Sequence, residues 1–251
     1  MKSALAAFAA IAALAAVTVA DAADAAKPDF SGVWTVYRPP GAAPGPGRAD
    51  PVFPRDAPFT AEAKAKVAEY RALVEPLGLT PGGACVGYGM PSAMLSSGGY
   101  PMEWIQRPEQ VTVIYEAHSE IRRIYIKNGP GEKDMIPSRD GTSLGHWEGN
   151  TLVVETTALK EAVDQASAHS DKAKIVERYT LGKDDAGRKV LQAEMTLTDP
   201  VFYSRPVTAT KRWLAVENGR LLPYDCTEPA WEDQLDKLRQ EKAAKAKESA
   251  K

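Results

Sequence analysis

The chain has 251 residues, 31 basic against 33 acidic side chains, 44% hydrophobic residues and two cysteines. So even a charge balance argues against nucleic acid or an anionic membrane as a partner. The length is enough for a sizeable core, within the range of a single all-β domain.

Residues 1–22, "MKSALAAFAAIAALAAVTVADA", read as a cleaved secretory signal peptide. Lys2 supplies a positive start, an apolar run follows from Ala4 to Val19, and Ala20-Asp21-Ala22 gives a small-x-small cleavage pattern. The run falls short of the ~20 residues needed to span a bilayer. No second apolar span follows, so the expected product is periplasmic or secreted, with no stable membrane insertion. In an oxidising compartment, Cys85 and Cys226 are expected to form a disulfide, and neither lies in a C-x-x-C motif.

Residues 23–59 are expected to form an extended Pro/Gly-rich arm carrying the first strand, "SGVWTV" at 31–36. The seven prolines between 37 and 59 exclude a helix or a central strand there. A helix is expected over 60–76, with Thr60 as N-cap and Val67, Tyr70, Val74 and Leu77 on one stripe. The following "TPGGACVGYGMPSAMLSSGGYP" reads as loop.

From Met102 the pattern changes to short alternating runs, with strands predicted at 102–107, 110–117, 120–127, 142–148, 151–157, 173–181, 189–198 and 207–216. Turn signals separate several of them, including Asn128-Gly129, Gly149-Asn150 and Asn218-Gly219. Eight or nine strands with no helix between them predict a mainly β, antiparallel meander. Closure into a barrel hides its edges most completely, and a two-sheet sandwich is the alternative. Residues 60–228 would form one domain, followed at 229–251 by a charged helical tail whose apolar stripe is Trp231, Leu235 and Leu238.

The stretch "SLGHWEGNTLVVET" looks most like chemistry, yet a Gly149-Asn150 turn pairs His146 with Val153 on a mixed face, as in an ordinary hairpin. The hairpin before it places Arg122 among apolar residues, on one face with Val111, Val113, Tyr115 and Ile124. A buried guanidinium needs a partner. Glu177, the one charge on a face with Ile175 and Tyr179, supplies it. An inward Arg122–Glu177 pair is either a structural ion pair or the polar anchor of a ligand pocket, with Tyr115, Tyr125, Tyr179 and Glu116 as further ligand-binding candidates. The long connection "ALKEAVDQASAHSD" ends in His169-Ser170-Asp171, where His169 could act as a general base and Asp171 could assist it or only cap a turn. His118, His146 and His169 are unpaired, and no G-x-G-x-x-G or G-x-x-x-x-G-K is present, so neither a metal nor a nucleotide cofactor is expected.

Together "CVGYGMP", "IRRIYI", "SLGHWEGNTLVVET", "HSDKAKIVERY" and "TDPVFYSRP" resemble a family of exported bacterial proteins to which no reaction is attached. The likeness runs from about Asp29 to Cys226 and includes the "SGVW" strand. Family members usually read G-R-W-E-G-D-T at the turn, so His146 and Asn150 depart from it, whereas Arg122, Tyr125, Glu148, His169, Asp171 and Glu177 fall on matching motifs. The resemblance implies a common structure and a common pocket, and the opening strand and meander also loosely resemble a lipocalin-like barrel, an analogy of fold alone. Three functions follow as expectations: binding of a small, partly apolar or aromatic molecule inside the barrel; a cofactor-independent lyase, isomerase or hydrolase using His169, Asp171, Glu116 or Glu177; or a structural envelope protein whose interior is filled by its own side chains. Oligomeric state is left open.

Overall fold

In a computed structural model, which describes residues 27–41, 53–96 and 99–227 and positions 235, 237, 239 and 240, the chain is a closed nine-stranded barrel. The signal peptide, residues 42–52 of the arm, and Trp231 and Leu238 of the tail stripe lie outside the described residues. The strands are β1 (Gly32–Val36), β2 (Met102–Gln106), β3 (Gln110–Tyr115), β4 (Glu120–Tyr125), β5 (Thr142–Glu148), β6 (Thr151–Thr157), β7 (Lys174–Lys183), β8 (Lys189–Thr198) and β9 (Val207–Val216). Each lies where apolar alternation places it. Two helices precede the meander: α1 (Ala61–Val74) and α2 (Ser92–Leu95). Thr60 caps α1 by accepting the Ala63 N–H.

Consecutive strands are neighbours and β9 returns to β1, but one pair breaks the antiparallel rule. Each antiparallel step reverses strand direction, and a closed ring must come back to its starting direction, so the number of reversals must be even. Nine strands therefore need an odd number of parallel pairs. Here there is one, β4 with β5, through Ile124 opposite Ser143 and Tyr125 opposite Leu144. A parallel step cannot be made by a tight hairpin. The connection 126–141 doubles back along the wall instead of turning at Asn128-Gly129.

The two ends of the barrel differ. One is closed by the short connections β2–β3, β5–β6 and β7–β8. There Phe30 packs against Trp104 (5.8 Å between centroids) and Trp147 (5.4 Å), and its carbonyl accepts the Trp34 indole N–H at 2.9 Å. The other end receives α1, α2 and segments 116–119, 158–173 and 199–206. The "GMPSAML" stretch, expected as loop, forms a buried plug there, with all four residues of α2 buried. The Met94 sulfur lies 3.3 Å from the Tyr179 hydroxyl, and the Leu95 carbonyl accepts from Lys211 Nζ at 3.1 Å. Trp34, Trp104, Trp213, Tyr179, Met94 and Leu95 are among the largest fully buried side chains.

Outside the wall, α1 is only lightly docked. Val67, Tyr70 and Val74 are half-buried, whereas Leu77, expected on the same stripe, is 70% exposed because the chain leaves the helix in a single 3-10 turn, Glu75–Leu77. After β9 the chain runs back along the barrel as a strap. Glu116 accepts the Leu222 N–H at 2.6 Å, and Cys226 is joined to Cys85. That disulfide closes a separation of 141 residues. In the chain-entropy picture a loop of that length restrains the unfolded state by about 5 kcal/mol. Among the described residues no helix is long and apolar enough to cross a membrane.

Candidate functional site

The interior register puts five residues from four strands into one polar cluster. Arg122 comes from β4, Ser143 from β5, Thr156 from β6, and Glu177 and Tyr179 from β7. All five are buried. Arg122 donates from Nε to Ser143 Oγ at 3.0 Å, from Nη1 to Glu177 Oε1 at 3.0 Å and to Tyr179 Oη at 3.4 Å, and from Nη2 to Thr156 Oγ1 at 2.8 Å and to Glu177 Oε2. A guanidinium has five N–H donors, and each has a partner here. Tyr179 in turn donates to Glu177 Oε1 at 2.8 Å, and the Ser143 and Thr156 hydroxyls lie 2.9 Å apart.

Burial opposes the charge on Arg122, but the Glu177 carboxylate together with the Tyr179 and Tyr115 phenols more than offsets it, so the guanidinium stays protonated. Burial also drives the Tyr179 hydroxyl far above its usual range, with Glu177 adding to the effect, and raises Tyr115 beside Arg122. Both phenols are neutral hydrogen-bonding groups.

The cluster has one face toward solvent, through the wall. Because β4 and β5 share only two register pairs, the stretch Glu120–Arg123 has no strand beside it on that side. A polar slit of about 210 Å³ opens there, lined by Ile121, Arg122, Arg123 and Tyr125 on β4 and by Ser138, Asp140, Gly141, Thr142 and Ser143 opposite. Arg122 and Ser143 join the slit to the interior cluster. Asp140 stands on its wall, half-buried, with no hydrogen bond or ion pair from any described residue. Burial and the neighbouring Glu120 carboxylate raise its pKa, against the pull of Arg122 and Arg139.

The slit wall is held by local chemistry absent from the sequence-based expectations. Arg139 donates to the Gly87 carbonyl at 3.0 Å, to the Tyr88 carbonyl at 3.3 Å and to Asp164 Oδ2 at 2.8 Å, tying the plug, the 126–141 crossover and the 158–173 segment together. Gly141 has φ +63°, and a Cβ there would run into the Thr157 carbonyl. Only glycine lets the chain turn into β5 at this point.

Of the predicted site residues, the structure brings Arg122, Glu177, Tyr179 and Tyr115 together and sets Tyr125 at the slit. Glu116 holds the strap instead. Asp171 is exposed on a turn and pairs with Lys172 at 2.9 Å. His169 is fully buried because segment 158–173 folds back on itself, Ala162 and His169 exchanging both backbone hydrogen bonds. Its Nδ1 lies 3.1 Å from the Ser167 carbonyl, which can only accept, so Nδ1 carries the proton and Nε2 is a buried lone pair without a partner among the described residues. Burial lowers its pKa and keeps the ring neutral. His146 lies outside the barrel, 3.2 Å from Glu148, which also receives Arg178 at 2.7 Å, in the register expected for the hairpin. The chain matches no family model and no curated relative.

Proposed function

We propose that the protein is an exported β-barrel that binds a small molecule, and that the molecule sits in the wall slit above Arg122. The barrel scaffold and the disulfide are consistent with service outside the cytoplasm. The interior supports a sealed core, since aromatic side chains, the α2 plug and Phe30 occupy it and every Arg122 donor is already taken. The observation that carries the proposal is the slit itself. It is a polar opening, walled on both sides, in which a carboxyl group has no partner among the described residues.

Native mass spectrometry of the chain purified from its own host tests this. The wild type should retain a small molecule, and Thr142→Phe, which fills the slit from its rim, should lose it while keeping the fold. Equal retention by both proteins would move the site elsewhere. Retention by neither would favour the envelope-structural function.

A further inference from the structure

Resting on the slit as the binding site, we propose that its ligand carries a primary ammonium group seated on the Asp140 carboxylate. The charges facing Asp140 decide the sign. From β4, Arg122 is neutralised by Glu177, and Glu120 adds a second carboxylate, held by the Tyr88 and Gly89 N–H groups at 2.9 and 2.7 Å. On its own segment, Arg139 is neutralised by Asp164, which comes from the 158–173 connection. Arg123, also on β4, is exposed and lines the rim of the slit. With Arg122 and Arg139 each paired, Arg123 stands alone against Asp140 and Glu120, so among these described groups negative charge is left over.

A half-buried carboxylate without a partner has given up hydration and received nothing in return. An ammonium group supplies what is missing, and the hydroxyl oxygens of Ser138 and Thr142 on the same wall can accept its remaining N–H groups. The cleft of about 210 Å³ limits the ligand's size. A cleft of that size suits a small amine or amino acid rather than an extended ligand. The exposed Arg123 at the rim would suit a carboxylate at the ligand's other end.

The test uses amide NMR spectra of the full mature chain titrated with methylammonium chloride, glycine or sodium acetate, on wild type and Asp140→Asn. Methylammonium and glycine should shift the amides of residues 121–125 and 138–143 in wild type, and Asp140→Asn should weaken this by about tenfold or more. The affinity should rise with pH as Asp140 ionises and then level off. Acetate should leave the amides of residues 138–143, around Asp140, unmoved. A stronger response to glycine than to methylammonium identifies a zwitterion, and equal responses a simple amine. The inference is overturned if acetate moves the slit amides while the amines do not, or if Asp140→Asn binds the amines as well as wild type. If, in addition, Asp140→Asn still carries the molecule retained from the host, the slit stands as a site and only the ammonium assignment falls. If neither amines nor a retained molecule are found at the slit, both fall together.

Discussion

The barrel interior and the slit in its wall share Arg122 and Ser143, yet treat their polar groups in opposite ways. Inside, the guanidinium meets a carboxylate, two hydroxyls and a phenol, and no donor is left over. At the slit, a carboxyl at the edge of the same network has lost part of its water and gained no partner among the described residues. A fully satisfied buried charge holds four strands in register and has nothing to offer a ligand. An unsatisfied one is a local cost that a ligand can relieve. Burial of a charge therefore does not by itself mark a site; the unmet hydrogen-bonding capacity does.

The largest effect should come from breaking the sealed side. Arg122→Met leaves Glu177 buried without its counter-charge, with only the Tyr179 hydroxyl donating to it among the described residues, and should cost about 3–5 kcal/mol in urea denaturation. Arg122→Met/Glu177→Gln removes both charges and should recover much of that loss. If the single change were nearly silent, the interior would not be a closed network and the contrast with the slit would disappear.

Next comes the wall. Gly141→Ala forces a side chain into a left-handed backbone and against Thr157, and should cost about 1–3 kcal/mol while weakening retention of any slit ligand. His169 sharpens the comparison from a third position, being buried like Arg122 but with one nitrogen unmatched. Its folded pKa is lowered by burial, so the unfolded chain takes up a proton first as pH drops below about 6.5. Stability should therefore fall between pH 7.5 and 5, and His169→Gln should flatten that slope. The smallest effect is expected on the outer face, where His146→Arg should stay within about 0.5 kcal/mol and leave retention unchanged.

Much of this frame is legible in the sequence. Period-two alternation locates all nine strands, and the Gly149-Asn150 turn gives the register of its hairpin. Arg122 and Glu177 stand out because each is the lone charge on an apolar face. What escapes is what depends on closure. The plug residues Met90, Ala93, Met94 and Leu95 form a short apolar run without periodicity, and only the barrel around them makes them core.

The parallel β4–β5 pair is hidden by Asn128-Gly129, which imitates a hairpin turn, although nine strands in a closed ring require such a pair. Asp140 sits in Ser-Arg-Asp-Gly, a composition any surface turn would show, so nothing in its neighbours flags it. A length criterion that singles out the connection before β7 would have pointed equally to the one before β5.

The most direct test of the contrast is the melting temperature of wild type and Asp140→Asn without ligand, measured from pH 8 down to pH 4. A raised carboxyl pKa means that the folded state prefers the protonated form, so its advantage is present at low pH and lost as pH rises through the folded value. Asp140→Asn should therefore melt above wild type at pH 8, with the gap closing toward pH 4. A variant that melts below wild type at pH 8 would mean that Asp140 already has its partner in the fold, and the slit would be only another satisfied piece of the wall.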